Sequence, residues 1–161
     1  MKDADHRTPQ KKYLLTIDLN RMARWLRLLG FDAAVIPAVS VSELIRRAVT
    51  EERMLVTRSV RVYKDKRPFS RFLIHSVHHL KQLQEILPSL EIDEKYYFTR
   101  CICCNRPLYP IEKEKVSGLI PERVYVKHDV FFVCRHCGRF YWAGTHWEAM
   151  KKTVMDFVIS R

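Results

Sequence analysis

Two Cys-X-X-Cys knuckles constrain the fold of this chain more than any other sequence feature. They place thiols at Cys101 and Cys104 and again at Cys134 and Cys137, and the only other cysteine, Cys103, lies inside the first knuckle. A two-residue gap lets a tight turn aim both sulfurs at one tetrahedral zinc ion, at about 2.3 Å from the metal. The spacing therefore predicts a structural zinc site, and a disulfide framework is the alternative.

The residues that follow the knuckles agree with this prediction. Asn105 and Gly138 come directly after them, and both residue types tolerate the left-handed backbone that such turns need. Because all four ligands can be thiolates, no coordination position stays open for a substrate. We therefore expect the metal to fold a small module and not to catalyse a reaction.

The charge of the chain indicates an anionic partner. The formal net charge is +11, from 29 Lys and Arg against 18 Asp and Glu. Such an excess favours nucleic acid as the partner, although solubility alone could explain it. No apolar run approaches the roughly 18 residues of a membrane span, and residues 1–12 lack the apolar core of a signal peptide. We therefore expect a cytoplasmic protein without a membrane partner, in a compartment that keeps thiols reduced.

The first half of the chain alternates short apolar segments with helical periods. This alternation predicts an α/β domain over residues 13–94, with a parallel sheet covered on both faces, after a flexible basic N-terminus over residues 1–12. Residues 95–161 are then expected to form a small β-rich zinc ribbon with a closing C-terminal helix. The predicted strands are 13–17, 33–36, 54–57 and 72–75, and the predicted helices start near residues 19, 41, 79 and 147.

Several polar residues follow the predicted strands and are candidates for a site. Asp18 comes directly after the first strand, where α/β proteins place their sites, but it could instead cap the next helix. Glu43 is a second candidate carboxylate, and its spacing from Ser40 also fits a capping box. Asp32 could line the same edge or end a turn. Ser59, after the third strand, offers a hydroxyl but no charge.

The segment 58–71 is strongly basic, with Asp65 as its only acid. Such a segment repels itself unless it is solvated or bound to an anion. Further arginines follow the polar face of the first predicted helix. The candidate RNA-binding residues are Arg24, Arg27, Arg58, Arg61, Lys64, Lys66 and Arg67.

Several motifs in a fixed order carry a resemblance to a known family. They are Asp18, the segment 22–32 (MARWLRLLGFD), the segment 53–58 (RMLVTR), and the two knuckle segments 100–105 (RCICCN) and 134–147 (CRHCGRFYWAGTHW). From about residue 14 to residue 150 the chain closely resembles the Mut-seven C-terminal RNase domain family. The resemblance implies a PIN-like α/β nuclease fold, a C-terminal zinc ribbon and metal-dependent action on RNA. It also implies that Asp18 is the first acid of the site and Glu43 the helix acid.

The chain departs from the family pattern at this site. Ser59 stands where the family typically has an aspartate, and the usually acidic loop before Glu43 is Val39 to Ser42. Loss of a carboxylate weakens the binding of a hard cation such as Mg²⁺ or Mn²⁺. The chain is therefore predicted to be an RNA-directed protein, either a metal-dependent ribonuclease with a partly degenerate acidic site or a catalytically silent RNA-binding factor. A ribonucleoprotein assembly factor, with the ribbon docking onto protein, is a further alternative.

Overall fold

A computed structural model describes residues 11–37 and 39–159, apart from the side chains of residues 146, 158 and 159. The chain divides into two compact units, Met1–Asn105 and Arg106–Arg161. The domain boundary predicted at residue 95 remains a prediction. Most of the N-terminus predicted to be flexible, residues 1–10, lies outside the described residues.

The first unit contains a four-stranded sheet in which every pair of neighbouring strands is parallel. The strand order is β2-β1-β3-β4, so the chain starts in an inner strand and moves to one side before crossing to the other. This confirms the predicted α/β class with a parallel sheet. The strands are β1 (Lys12–Thr16), β2 (Asp32–Ile36), β3 (Arg53–Thr57) and β4 (Arg71–Leu73).

Four helices connect or follow these strands, and three of them lie where the periodicity predicts. Gly30, with φ of 92°, follows the first helix as its predicted cap, and a Cβ at this position would collide with the backbone of Tyr96. The third helix has only four residues, too few to leave a periodic signal, and it lies in the segment predicted as a loop. The helices are α1 (Asn20–Leu28), α2 (Val41–Thr50), α3 (Val60–Tyr63) and α4 (His79–Ile86).

Both faces of the sheet are buried, as predicted. Along β1, Leu14 points to one face, while Tyr13 and Leu15 point to the other, and all three are fully buried. On the second face the rings of Tyr13 and Phe31 pack edge to face, with the ring centroids 5.5 Å apart. On the first face the core cluster comprises Leu14, Ile36, Leu44, Ile45, Ala48, Leu55 and Val62.

The second unit contains a small antiparallel sheet in the order β5-β6-β7. Its last helix ends the described chain and carries the buried Val154, in agreement with the predicted closing helix. Nowhere in the described residues is there a helix both long and apolar enough to cross a bilayer. The elements are β5 (Tyr109–Ile111), α5 (Glu122–Lys127), β6 (Phe131–Val133), β7 (Phe140–Tyr141) and α6 (Thr145–Ile159).

Candidate functional site

The carboxyl edge of the parallel sheet brings Asp18 close to the end of β3. Leu15 of β1 pairs with Val56 of β3, and Asp18 and Ser59 each lie three residues beyond that pair. Asp18 belongs to a single 3₁₀ turn directly after β1, and its side chain is 42% exposed. Nη1 of Arg58 lies 3.8 Å from Oδ2 of Asp18, a loose ion pair. The carboxylate of Asp18 is therefore accessible at this edge.

Asp18 does not act as a helix cap. The N-cap residue of α1 is Leu19, and no side-chain hydrogen bond caps that helix. Cap formation was the main structural alternative for an aspartate at this position. The carboxylate of Asp18 thus remains free for another role.

Glu43 is held by a neighbour on its own helix. Its backbone N–H donates to Oγ of Ser40 at 3.2 Å, which forms the predicted N-terminal cap of α2. Its carboxylate accepts two hydrogen bonds from Arg46, from Nε at 2.8 Å and from Nη2 at 2.6 Å. These hydrogen bonds, with the charge of Arg46, lower the pKa of Glu43. Glu43 is therefore a charged carboxylate that already has a cationic partner.

Ser59 has a structural function that the sequence pattern did not reveal. Its Oγ accepts a hydrogen bond from the backbone N–H of Val62 at 3.4 Å, so that it caps α3. Its own N–H donates to Oγ1 of Thr57 at 3.1 Å. Both interactions fix the first residues after β3, beside Asp18.

Asp32 lies at the opposite edge of the sheet, which corrects the expectation that it lines the same edge as Asp18. It is the first residue of β2 and pairs with Lys12, the first residue of β1, because the chain enters the strand here and does not leave it. Its carboxylate accepts hydrogen bonds from Arg53 at 2.6 Å and from Asn105 at 2.7 Å.

The environment of Asp32 keeps its carboxylate charged. Burial alone would raise the pKa of this group, but the hydrogen bonds from Arg53 and Asn105 and the charge of Arg100 outweigh burial and lower it. Nη2 of Arg100 lies 3.6 Å from the carboxylate. Because its acceptor positions are filled by protein donors, Asp32 is a structural residue.

Arg27 is buried, which corrects its assignment as an RNA-binding residue. Only 5% of the residue is exposed. Its Nε donates to the carbonyl oxygen of Ala33 at 2.8 Å, and its Nη1 donates to the carbonyl oxygens of Ile102 and Cys103, both at 3.0 Å. The buried side of α1 is wider than the apolar pattern indicated, since Ala23, one turn earlier, is buried too.

The other candidate cations differ in whether they have an ion-pair partner. In the part of the chain that the structure describes, Arg24, Arg61, Lys64 and Lys66 are exposed and make no ion pair. Arg67 is occupied by Asp65, whose two carboxylate oxygens each accept a hydrogen bond at 2.8 Å. Arg58 has a loose ion pair with Asp18 and no other in the described residues.

Two aromatic rings contact Arg71 at the end of the basic segment 58–71. The guanidinium of Arg71 lies 4.7 Å from the ring centroid of Phe69 and 5.6 Å from that of Tyr63. Such cation–π contacts stabilise a charge that would otherwise repel its neighbours. The pattern of the sequence contained no signal for this arrangement, because it depends on how the chain turns between α3 and β4.

The four knuckle cysteines form the predicted cluster. The sulfurs of Cys101, Cys104, Cys134 and Cys137 all lie within 4.8 Å of one another, and none of the five cysteines forms a disulfide. Sulfurs that share one tetrahedral zinc are about 3.8 Å apart, given Zn–S distances of about 2.3 Å. The cluster is thus able to hold a metal ion and is consistent with structural zinc. The disulfide alternative does not apply.

The backbone of both knuckles has the predicted left-handed residue. Asn105 has φ of 63° and Gly138 has φ of 70°. The N–H of Asn105 donates to the carbonyl of Cys101 at 2.9 Å, and that of Gly138 donates to the carbonyl of Cys134 at 2.8 Å. The two knuckles therefore close in the same way.

A family comparison identifies the chain. The model of the Mut7-C RNAse domain matches residues 11–154, which include the whole parallel sheet and both knuckles. The chain belongs to the Mut7-C RNAse domain family. Membership in the Mut7-C family indicates a nuclease and confirms the resemblance drawn from the sequence motifs. Neither a curated protein nor a solved structure matches the chain.

The carboxyl edge of this Mut7-C chain offers few donors for a metal ion. Among the described residues, the cysteine cluster is the only group of three or more His, Cys, Asp or Glu whose ligand atoms come this close together. Within the described part of the chain, Asp18 and Glu43 belong to no such group, and the carboxylate of each faces an arginine. These residues do not form a ready site for Mg²⁺ or Mn²⁺, which rely on several charged oxygens.

Proposed function

We propose that this protein is an RNA-directed member of its family that binds the phosphate backbone at the carboxyl edge of a PIN-like α/β domain. The observation that carries the proposal is a set of exposed cations without ion-pair partners among the described residues. Asp18 follows one strand at this edge, and the basic segment begins beside it. The binding residues proposed are these four cations, Arg24, Arg61, Lys64 and Lys66, together with Arg58, which has a loose contact with Asp18.

Arg58 occupies the central position in this proposal. Its contact with Asp18 is long, at 3.8 Å, and its Nε is buried without a hydrogen-bond partner among the described residues. An arginine with unused donors favours a phosphate, because the guanidinium can donate two parallel hydrogen bonds to it. A phosphate of RNA would accept hydrogen bonds from the outer nitrogens of this guanidinium, which Asp18 meets only loosely.

Salt-dependent RNA binding tests this function. A triple substitution of Arg61, Lys64 and Lys66 to Ala removes three phosphate contacts, so the slope of log affinity against log salt should become shallower by about 2. Fluorescence anisotropy with a labelled single-stranded RNA measures the slope. The matched control replaces Lys81, Lys127 and Lys152, three exposed lysines elsewhere, and loses the same charge. Equal slopes for the two triple variants would contradict the proposed surface.

Hydrolysis of RNA phosphodiester bonds is the second candidate function. It is favoured by membership in an RNase domain family and by the accessible carboxylate of Asp18 after β1. Glu43 and Ser59 are the further residues proposed at this site, and Mg²⁺ or Mn²⁺ the proposed cofactor. Because two carboxylates that each face an arginine fit such an ion poorly, we expect slow cleavage at most.

A cleavage assay separates the two functions. RNA is incubated with the protein in Mn²⁺, with EDTA and the Asp18→Asn variant as controls. Cleavage that needs Mn²⁺ and disappears in Asp18→Asn would support the enzyme. Binding without cleavage would leave the binding function alone, and cleavage that persists in Asp18→Asn would place the activity elsewhere.

We also propose that the cysteine cluster holds one structural zinc ion and that residues 95–161 fold around it as a zinc ribbon. The four sulfurs and the matching turns of the knuckles support this assignment. Zinc thiolates need a reducing compartment, which fits a cytoplasmic location. Elemental analysis of the purified protein should give one zinc per chain, and Cys134→Ser should abolish it.

A further inference from the structure

The guanidinium of Arg27 is directed at the first cysteine knuckle. Nη1 donates to the carbonyl oxygens of Ile102 and Cys103, the two residues between the ligand positions Cys101 and Cys104. The third hydrogen bond, from Nε to Ala33, fixes the guanidinium against the start of β2. One buried side chain therefore holds the turn of the knuckle to the α/β unit.

The ends of the same knuckle are tied to β2 as well. On one side Arg100 donates to the carbonyl oxygen of Asn105 at 2.8 Å and lies 3.6 Å from the carboxylate of Asp32. On the other side Asn105 donates to Asp32 at 2.7 Å and accepts from the backbone N–H of Ala33 at 3.1 Å. The knuckle is thus fixed at its start, its middle and its end.

This arrangement matters for a metal because the knuckle has to present two sulfurs at a fixed angle. A chain that must order its turn on binding loses conformational entropy, whereas a turn already fixed by three hydrogen-bonded residues does not. The position of Arg27 also matters electrostatically. Four thiolates around Zn²⁺ carry a net charge of −2, and a buried guanidinium beside the turn offsets part of it.

We propose that Arg27 is a positioning residue of the metal centre, which orients the first knuckle and offsets the charge of the metal-bound thiolates. The proposal rests on the zinc site proposed above, and it assigns Arg27 a role in metal binding in place of the RNA contact expected from the sequence. Residues that support metal ligands from outside typically change metal affinity by about 10–100-fold when they are replaced.

A simple structural role makes a different prediction. If Arg27 only filled space in the α/β unit, its replacement would lower the stability of that unit and affect the metal no more than any other core change. Ile45 provides the matched control, because it is almost fully buried in the core cluster on the face with Leu14, a cluster that includes no residue of the knuckle. Ile45→Ala should destabilise the unit without altering the metal centre.

The experiment measures zinc release from the full chain. Wild type, Arg27→Met, Arg27→Lys and Ile45→Ala are first analysed for zinc content and then mixed with a coloured chelator at a temperature where each is folded by circular dichroism. Release from Arg27→Met should be at least about tenfold faster than from wild type. Arg27→Lys, which keeps the charge but has a shorter reach for three carbonyls, should be intermediate, and Ile45→Ala should match wild type.

Cobalt substitution provides a second readout that loss of stability alone does not change. The visible absorption bands of Co²⁺ report the geometry of its four sulfurs, so Arg27→Met should shift them while Ile45→Ala does not. If Arg27→Met fails to fold, Arg27→Lys carries both measurements.

Release rates and spectra equal to wild type in both Arg27 variants would overturn the proposal. A wild-type protein without zinc would overturn it in a different way, because the stoichiometry would then contradict the zinc site and not the role of Arg27.

Discussion

The two edges of the parallel sheet use the same types of charged residue in opposite ways. At the amino edge, the side chains of Asp32, Arg53 and Arg100 are between 11% and 15% exposed, and Asp32 accepts hydrogen bonds from Arg53 and Asn105. At the carboxyl edge, Asp18 is 42% exposed, and the one cation that it meets within the described residues is 3.8 Å away. The first edge is closed by its own hydrogen bonds, and the second is open to a ligand.

The difference shows why a carboxylate beside a strand is not by itself a site. A charge that is removed from water has to be paired, and the partners that stabilise it also fill the positions that a metal or a phosphate would use. The carboxylate of Asp32 is largely removed from water and is paired within the fold. Asp18 and the exposed cations of segment 58–71 remain in contact with water. Function is therefore expected at the carboxyl edge and stability at the amino edge.

The largest expected effect is on stability at the amino edge. Asp32→Ala leaves two mostly buried arginines without their shared carboxylate, so we expect the free energy of unfolding to fall by about 3 kcal/mol. Asp18→Ala removes only a loose, exposed pair and should change it by less than about 0.5 kcal/mol. Urea unfolding followed by circular dichroism measures both. A similar loss in the two variants would remove the distinction between the edges.

The next effect is a gain of function at the carboxyl edge. Ser59→Asp adds a carboxylate beside Asp18 while it preserves the cap of α3, because aspartate caps helices as well as serine does. We expect tighter binding of Mn²⁺, measured by isothermal titration calorimetry, and faster Mn²⁺-dependent cleavage of RNA. Ser59→Asn keeps the cap without the charge and is the matched control. A gain in both variants, or in neither, would count against a missing carboxylate as the reason for weak activity.

A smaller effect separates two cations of the basic segment. Lys64 makes no ion pair among the described residues, whereas the charge of Arg67 is neutralised by Asp65. Lys64→Ala should therefore reduce the salt slope of RNA binding by about 0.7, and Arg67→Ala by less. Anisotropy titrations at several salt concentrations measure the slopes. If Arg67→Ala has the larger effect, the pair with Asp65 must open when RNA binds.

The smallest effect is a change with pH at the amino edge. Although burial opposes it, the donors around Asp32 lower the pKa of its carboxyl group in the folded protein below the unfolded value of about 3.9. The stabilisation from Asp32 is therefore complete above about pH 4 and is lost as the pH falls through the folded pKa. The stability difference between wild type and Asp32→Asn should shrink as the pH is lowered below about 4 in urea unfolding. A constant difference would mean that the charge of Asp32 contributes nothing.

Local signals in the sequence predicted the elements of the first unit well. The cap at Ser40, the glycine after α1 and the apolar segments of the strands act over a few residues, so that their effects can be read without knowing the fold. Helix α3 leaves no signal in the sequence because four residues carry no period, and the pattern at Ser59 shows a missing acid but not the cap of that helix. Local patterns thus identified the elements but not all of their ends.

The candidate site was less predictable than the fold. Asp18 comes directly after the apolar segment of β1, and parallel strands end at one edge of a sheet. The sequence therefore predicts the edge at which Asp18 lies. The burial of Arg27 could not be anticipated, because its three acceptors are backbone carbonyls of Ala33, Ile102 and Cys103, and carbonyls leave no trace in side-chain types. Asp32 lies at the amino edge because it begins β2 and does not end it, and the apolar pattern of β2 starts only at the next residue.

The sequence by itself determined the family, the parallel α/β class and the four cysteines that can hold a metal, because each depends on residue types at short, regular spacings. Only the tertiary structure decided which charged residues are buried in interactions that stabilise the fold and which stay accessible to a ligand. That decision depends on burial and on partners far along the chain, such as Asn105 for Asp32 and the first knuckle for Arg27. The cost of removing a charge from water is set by the folded surroundings and not by the residue itself.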